Sequence, residues 1–162
     1  MNLLVIGSLN IDLVIKTERQ PKSGETIRGT DFVTVCGGKG GNQAIAAAKL
    51  GADVSMIGNV GDDDFGNMLV GNLKDEHIKV SGISKSEVSS GVAVINVFGN
   101  DNTIIVNSGA NGMLNRHHID KCKHMIMQCD AVLMQFEIPL ETVIYAAKTA
   151  KQYGKKVIIN PA

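Results

Sequence analysis

Between Cys36 and Ala44 the chain reads Cys-Gly-Gly-Lys-Gly-Gly-Asn-Gln-Ala, four glycines around one lysine, and Ile45, Ala46, Ala47 and Ala48 follow at once. Glycine has no Cβ and lets backbone approach a ligand closely. Asn42 is a good helix N-cap and the alanines beyond it are strong helix formers. The stretch therefore predicts a tight loop feeding a helix that begins at Asn42. Such a terminus offers unpaired N–H groups and a partial positive charge, which suits an anion or a cluster of hydroxyls. Lys39 adds a full charge at the same place. The competing reading is a Gly-rich turn that only closes a helix onto a sheet.

Other polar residues fall where open α/β sheets bind ligands, just past the carboxyl ends of strands. Asn10 and Asp12 follow the apolar run Asn2 to Gly7, and Glu137 follows Ala131 to Phe136. A carboxylate accepts hydroxyl donors, an amide can donate and accept, and lysine only donates. The set Asn10, Asp12, Lys39, Asn42 and Glu137 suits a polyhydroxylated sugar. Taken singly, Asn10, Asp12 and Glu137 also read as turn or loop residues.

Standard phosphate motifs do not fit. A P-loop in register with Gly38-Lys39 would need Gly at Val33 and Ser or Thr at Gly40, and Gly7-Ser8-Leu9 lacks the second glycine of the dinucleotide fingerprint. His118 and Cys122 stand four apart and His117 and His124 seven apart, a spacing that puts each pair on one helix face, as a metal site needs. Arg116, Lys121 and Lys123 on the same segment mark that helix instead as a solvated face. Asp62, Asp63 and Asp64 after Gly61 read as a turn and helix cap. Cys36 has no neighbour in the sequence that would clearly lower its pKa.

The elements that must hold these residues alternate. The apolar run at 2–7 reads as a strand buried on both faces, 53–60 as another buried strand, and 130–136 and 156–159 as further strands. Helices are expected from Asn42 to Leu50, from the Asp62–Asp64 cap to Glu76, from Asn115 to Gln128, and after Pro139 to Tyr153, with Gly51 and Gly154 as stops. This pattern gives a right-handed, mostly parallel α/β sheet flanked by helices. Segments at about 12–35 and 91–107 do not fit that layer. Leu13 to Lys16, Thr26 to Val35 and the hairpin signature around Gly99-Asn100-Asp101-Asn102 suggest a small antiparallel sheet standing off the main one. Residues 78–90 read as irregular with one short strand. The closing strand leaves an edge that expects a neighbour, which suggests a truncated fold.

The totals bound the class. At 162 residues the chain has a usual size for one domain and can bury a real core. Sixteen basic and sixteen acidic residues cancel and tryptophan is absent, so neither charge nor stacking favours nucleic acid. Three cysteines without metal-type spacing suggest reduced thiols in a cytoplasmic setting. The Leu3–Ile6 run is short and lacks a basic leader, and no apolar stretch is long enough to span a membrane.

The strings Gly7-Ser8-Leu9-Asn10-Ile11-Asp12, Gly38-Lys39-Gly40-Gly41-Asn42-Gln43-Ala44, Gly109-Ala110-Asn111, Gln135-Phe136-Glu137 and Ile159-Asn160-Pro161-Ala162 together resemble the ribokinase-like, or PfkB, family of sugar kinases, in the right order over the whole chain. The resemblance implies ATP-dependent phosphorylation of the 5-hydroxyl of D-ribose, with Mg2+ and a monovalent cation such as K+. By position, Asn10, Ile11, Asp12, Gly38, Lys39, Gly40, Gly41, Asn42 and Glu137 match the family's sugar-binding stretches. The small sheet matches the family's lid, which covers the sugar and often mediates a homodimer. Ala93 falls where the lid carries small apolar groups, and Asn107 departs from the hydrophobic residue some relatives carry in the opposing strand. The family's catalytic Asp lies in a Gly-Ala-Gly-Asp motif that does not occur in this sequence. The resemblance thus implies the sugar-binding half and lid of such a kinase, inactive by itself. The alternatives are a non-catalytic sugar-binding or oligomerisation fragment, and a related kinase for another sugar or a nucleoside.

Overall fold

A computed structural model describes residues 1–162. Its main sheet has five parallel strands in the order β5-β4-β1-β8-β9: β1 Asn2–Ile6, β4 Asp53–Gly61, β5 Lys79–Ser86, β8 Ala131–Met134 and β9 Lys156–Ile159. The apolar run of β1 is continuous because both faces are covered. Leu3 and Val5 face a core shared with Ala44, Leu69 and Leu73, whereas Leu4 and Ile6 face one shared with Ile119, Ile126, Val143 and Ala146. The first core lies under helices α1 (Lys39–Lys49) and α2 (Asp64–Asp75), the second under α3 (Arg116–Lys121), α4 (Lys123–Gln128) and α5 (Leu140–Gln152). No helix is long and apolar enough to cross a membrane.

The second sheet has four strands in the order β3-β2-β6-β7: β2 Asn10–Thr17, β3 Gly29–Gly37, β6 Gly91–Phe98 and β7 Asp101–Asn107. It is not wholly antiparallel as expected, because β2 and β6 run parallel at its centre while β3 and β7 flank them antiparallel. The chain therefore crosses between the sheets four times, near Leu9, Gly38, Ser90 and Ser108. One crossing is anchored by Asp63, whose carboxylate accepts from Gly66 N at the start of α2 and from Ser90 N and Oγ before β6, at 2.7, 2.8 and 2.6 Å. Asp63 is the α2 cap expected from the acidic turn, with this second use added.

Other expectations need correction. β2 begins at Asn10 rather than Leu13, since β3 and β6 pair with it on both sides from its first residue. Asn10 and Asp12 are thus strand residues, not turn residues. β5 is a full eight-residue strand because it pairs with β4 along most of its length. The helix expected from Asn115 to Gln128 breaks at Cys122 without a glycine or proline to signal it. β8 ends at Met134, leaving Gln135 to Glu137 in a loop, and Pro139 is the N-cap of α5.

The N-cap of α1 is Gly38, at φ 86°, not Asn42, which lies inside the helix. Capping four residues earlier brings Gly40 against the β1 exit. A Cβ there would lie 2.6 Å from both the N and the O of Ser8. Alanine would gain about 1 kcal/mol of helix propensity, but overpacking against backbone costs about 1–3 kcal/mol and wins. Gly40→Ala should therefore lower the urea unfolding midpoint. Gly71→Ala, in α2 with nothing within 4 Å of its added Cβ, should raise it by up to about 1 kcal/mol of stability. A Gly40→Ala chain as stable as the wild type would contradict the close approach.

Candidate sugar-binding cleft

Each of the first backbone N–H groups of α1 has an internal partner. Lys39 N donates to Glu137 Oε2 at 3.0 Å, Gly40 N to Ser8 Oγ at 3.2 Å, Gly41 N to Ser8 O at 3.0 Å and Asn42 N to Gly38 O at 2.9 Å. The sequence suggested open donors for an incoming anion. Here the fold supplies the anion itself, the Glu137 carboxylate, at the positive end of the helix dipole. Lys39 Nζ also donates to Glu137 Oε1 at 2.6 Å, and Ser8 Oγ to Glu137 Oε2 at 2.6 Å.

Around this knot lies a cavity of about 250 Å³, smaller than the usual pocket for a drug-sized ligand. Its polar side is Asn10, Asp12, Lys39, Asn42 and Glu137, with the backbone of Gly38. Its apolar wall is Ala93 and Ile95 of β6 and Ile104 and Val106 of β7. The structure thus brings together six of the nine binding positions expected from sequence. The other three do not line the cavity. Ile11 alternates to the opposite face of β2 and is fully buried in the core. Gly40 and Gly41 are buried against Ser8 and Leu9, so they seat the helix.

Of the two positions expected on the small sheet, Ala93 lines the cavity. Asn107 does not, for reasons of register. Val106 pairs with Ala93 and Ile104 with Ile95, so Asn107 falls on the other face, where its Oδ1 accepts from Gly109 N at 3.1 Å. On the opposing strand the hydrophobic residue that faces Ala93 and lines the cavity is Val106. Period-two alternation through the hairpin carried the signal for Ile95, Ile104 and Val106. Ser8 had no signal beyond its place after β1. The carboxamides of Gln43 and Gln135 also meet, Gln135 Nε2 donating to Gln43 Oε1 at 2.6 Å, and fasten the end of β8 to α1.

The charges are arranged unequally. Burial pushes the Glu137 carboxyl up, but hydrogen bonds from the Lys39 ammonium, Ser8 Oγ and Lys39 N outweigh it and hold the carboxyl below its ordinary value. Burial, then the negative charge of Glu137, push Asp12 above its ordinary value. The site therefore holds one firmly ionised carboxylate beside one that gains from a donor arriving in the cavity. Burial and the charge of Asp12 raise the Cys36 thiol, the reverse of what a reactive thiolate needs. His118 closes a capping box with Asn115, its Nδ1 accepting from Asn115 N at 3.3 Å, and no group of three or more His, Cys, Asp or Glu is placed for a metal ion.

A parallel α/β sheet with a four-stranded second sheet across its carboxyl edge, and a Gly-Lys-Gly-Gly-Asn helix start facing carboxylates, define a carbohydrate kinase class. The chain belongs to that class: residues 1–162 match the pfkB family carbohydrate kinase profile. It is 43% identical over 162 residues to the ribokinase of Bacillus subtilis strain 168, covering 99% of this chain and 55% of the relative. It is 42% identical over 164 residues to the deoxyribokinase of Salmonella typhi, covering all of this chain and 54% of the relative. Among solved structures, Arabidopsis thaliana ribokinase complexed with ribose and ATP superposes with a TM-score of 0.91 at 33% identity, over 99% of this chain and 53% of that one. The chain spans about half the length of the curated relatives it matches.

The coupling of the two carboxyls has a pH signature. Glu137, with its folded pKa depressed, contributes stability that is present above its unfolded value and lost as pH falls through the folded value. Asp12 has the opposite sign: its raised folded pKa costs stability as pH rises past the ordinary Asp range. Carbon-13 titration of the side-chain carboxyls should place Glu137 below and Asp12 above their free values, and Glu137→Gln should bring Asp12 down. An Asp12 midpoint unmoved by that substitution would contradict the coupling.

Proposed function

We propose that residues 1–162 form the sugar-binding part and lid of a ribokinase-type kinase, which transfers phosphate from ATP to the 5-hydroxyl of D-ribose. The observation that carries this reading is the single cavity in which Asn10, Asp12, Lys39, Asn42 and Glu137 meet under an apolar wall. Asp12 accepts from sugar hydroxyls, and the raised pKa that costs it stability alone is relieved by those donors. Asn42, half-turned to solvent at the first turn of α1, and the Gly38 backbone frame the other side of the sugar. The wall from β6 and β7 excludes water, which competes with the sugar as phosphoryl acceptor. The curated ribokinases among its relatives support the choice of ribose.

ATP supplies the phosphoryl group and the cations neutralise charge on it. Residues 1–162 bring one basic side chain, Lys39, to the cavity and hold no group of three or more His, Cys, Asp or Glu placed for a metal ion. These residues do not fit the nucleotide, Mg2+ or K+ sites that the family implies. The proposal is accordingly sugar binding without turnover by residues 1–162 alone. A second reading, binding of 2-deoxyribose, is favoured by the equally similar deoxyribokinase relatives. The outer strands of the second sheet leave Val33, Val35, Ile104 and Val106 exposed on its cavity-side face, and we propose that this face pairs two copies.

Isothermal titration of ribose, 2-deoxyribose and fructose into residues 1–162 is the direct test. Ribose heat at millimolar concentration should be lost or weakened at least about tenfold by Asp12→Asn, since a buried hydrogen bond to a charged group is worth about 1.5–3 kcal/mol. Absence of ribose heat, or a stronger response to fructose, would overturn the substrate. Light scattering should show self-association, and a clean monomer would remove the pairing. Robust phosphorylation of ribose by 1–162 with ATP would overturn the division of labour.

A further inference from the structure

Asn111 lies in a short 3-10 turn, Gly109–Met113, and is 1% exposed. The turn is tied to the main sheet through Asn59 Nδ2, which donates to Ala110 O at 2.9 Å. From there Asn111 reaches the crossing between β1 and β2. Its Oδ1 accepts from Leu9 N at 2.9 Å, and its Nδ2 donates to Leu9 O at 2.9 Å and to Asn10 Oδ1 at 2.8 Å.

This arrangement has only one sense. Leu9 N–H can only donate and Leu9 O can only accept, so the orientation of the Asn111 amide is fixed from both sides. Its second proton must then meet an acceptor, which forces Asn10 to turn its own Oδ1 inward. Asn10 is 5% exposed and lines the cavity, so its Nδ2 is the atom left over. Gly91 leaves room for the pair, because a Cβ there would run into Asn10 Oδ1 and Asn111 Nδ2. Asp12 and Glu137 only accept when ionised, and one Lys39 Nζ donor is already committed to Glu137, so Asn10 Nδ2 adds a fixed donor on the β2 side of the cavity, opposite the amide of Asn42 on α1.

We propose that Asn111 is a positioning residue for the sugar site, fixing Asn10 so that its Nδ2 is presented to the cavity as a hydrogen-bond donor to a sugar hydroxyl oxygen. The inference rests on the sugar-binding reading for its ligand, but the orientation it assigns does not need one. A site that hydrogen-bonds a hydroxyl rejects the analogue lacking it because a buried donor is left unpaired. Asn111 thereby contributes to specificity without touching the sugar.

The test has a ligand-free arm and a ligand arm. Nitrogen-15 spectra of the side-chain amides should show slow solvent exchange for Asn111 and fast exchange for Asn10, with the Asn10 signals moving when ribose is added. In Asn111→Asp the new carboxylate offers no proton to Asn10, whose amide should turn inward and become protected from exchange. Asn10→Asp keeps an acceptor for Asn111 but replaces the outward donor with a carboxylate beside Asp12 and Glu137. Its unfolding midpoint should therefore fall as that group ionises, and ribose affinity should fall at least about tenfold, the worth of one net hydrogen bond. Protected Asn10 amide protons in the wild type would overturn the proposal, as would wild-type ribose affinity in Asn10→Asp. Should Asn111→Asp fail to fold, those two measurements still decide. The expected exchange pattern with no ribose response in any chain would support the Asn111–Asn10 orientation and overturn the sugar reading.

Discussion

The carboxylate of Glu137 joins three parts of the chain that are distant in sequence. One oxygen accepts from Ser8 Oγ at the end of β1 and from Lys39 N at the start of α1, and the other accepts from Lys39 Nζ. The ion pair itself is half-exposed and, as a pair, contributes no more than about 1 kcal/mol. Its larger effect is geometric. A buried or half-buried helix start must find acceptors for its free N–H groups, and here Glu137 and Ser8 are those acceptors. The loop after β8, the exit of β1 and the first turn of α1 can therefore occupy only one relative position. That position sets where Asp12 stands against Lys39, and so sets the cavity.

The cavity is divided between the two sheets. Polar groups come from the crossing segments and from α1, all held by the parallel sheet beneath. Apolar groups come from β6 and β7, which reach the cavity only through the parallel pairing of β2 with β6. A sugar needs both surfaces, acceptors and donors for its hydroxyls and a dry cover over them. Asp63 pins one of the four crossings with partly buried hydrogen bonds and Asn111 another with buried ones. The second sheet is thereby joined to the first by short, satisfied connections.

The sequence exposed much of this. The apolar runs of β1 and β4 could be read as buried strands and those of β8 and β9 as further strands, β9 proving to be an exposed edge. Gly51 and Gly154 did end helices, at φ 87° and 69°. Asn10, Asp12, Lys39, Asn42 and Glu137 could be picked out because their side-chain chemistry suits hydroxyls. What stayed hidden was decided by partners far along the chain. The start of α1 moved to Lys39 because Glu137, 98 residues away, accepts from its backbone N–H. β5 lengthened because β4 lies beside it, and the side of Asn107 was fixed by register with β6. Local propensity holds no information about any of these. Ser8 was invisible for the same reason, since an isolated serine after a strand becomes a bridge only when α1 and the β8 loop arrive on either side.

The chain belongs to the pfkB carbohydrate kinase family, and we propose that the sugar sits between Asp12 and the β6–β7 wall. Methyl-resolved NMR of residues 1–162 during addition of ribose tests that most directly. The account predicts that the methyls of Ala93, Ile95, Ile104 and Val106 shift together along one saturable curve while those of Ile119, Val143 and Ala146, on the far side of the sheet, stay fixed. Shifts confined to the far side, or no saturable shift at the four wall residues, would contradict it.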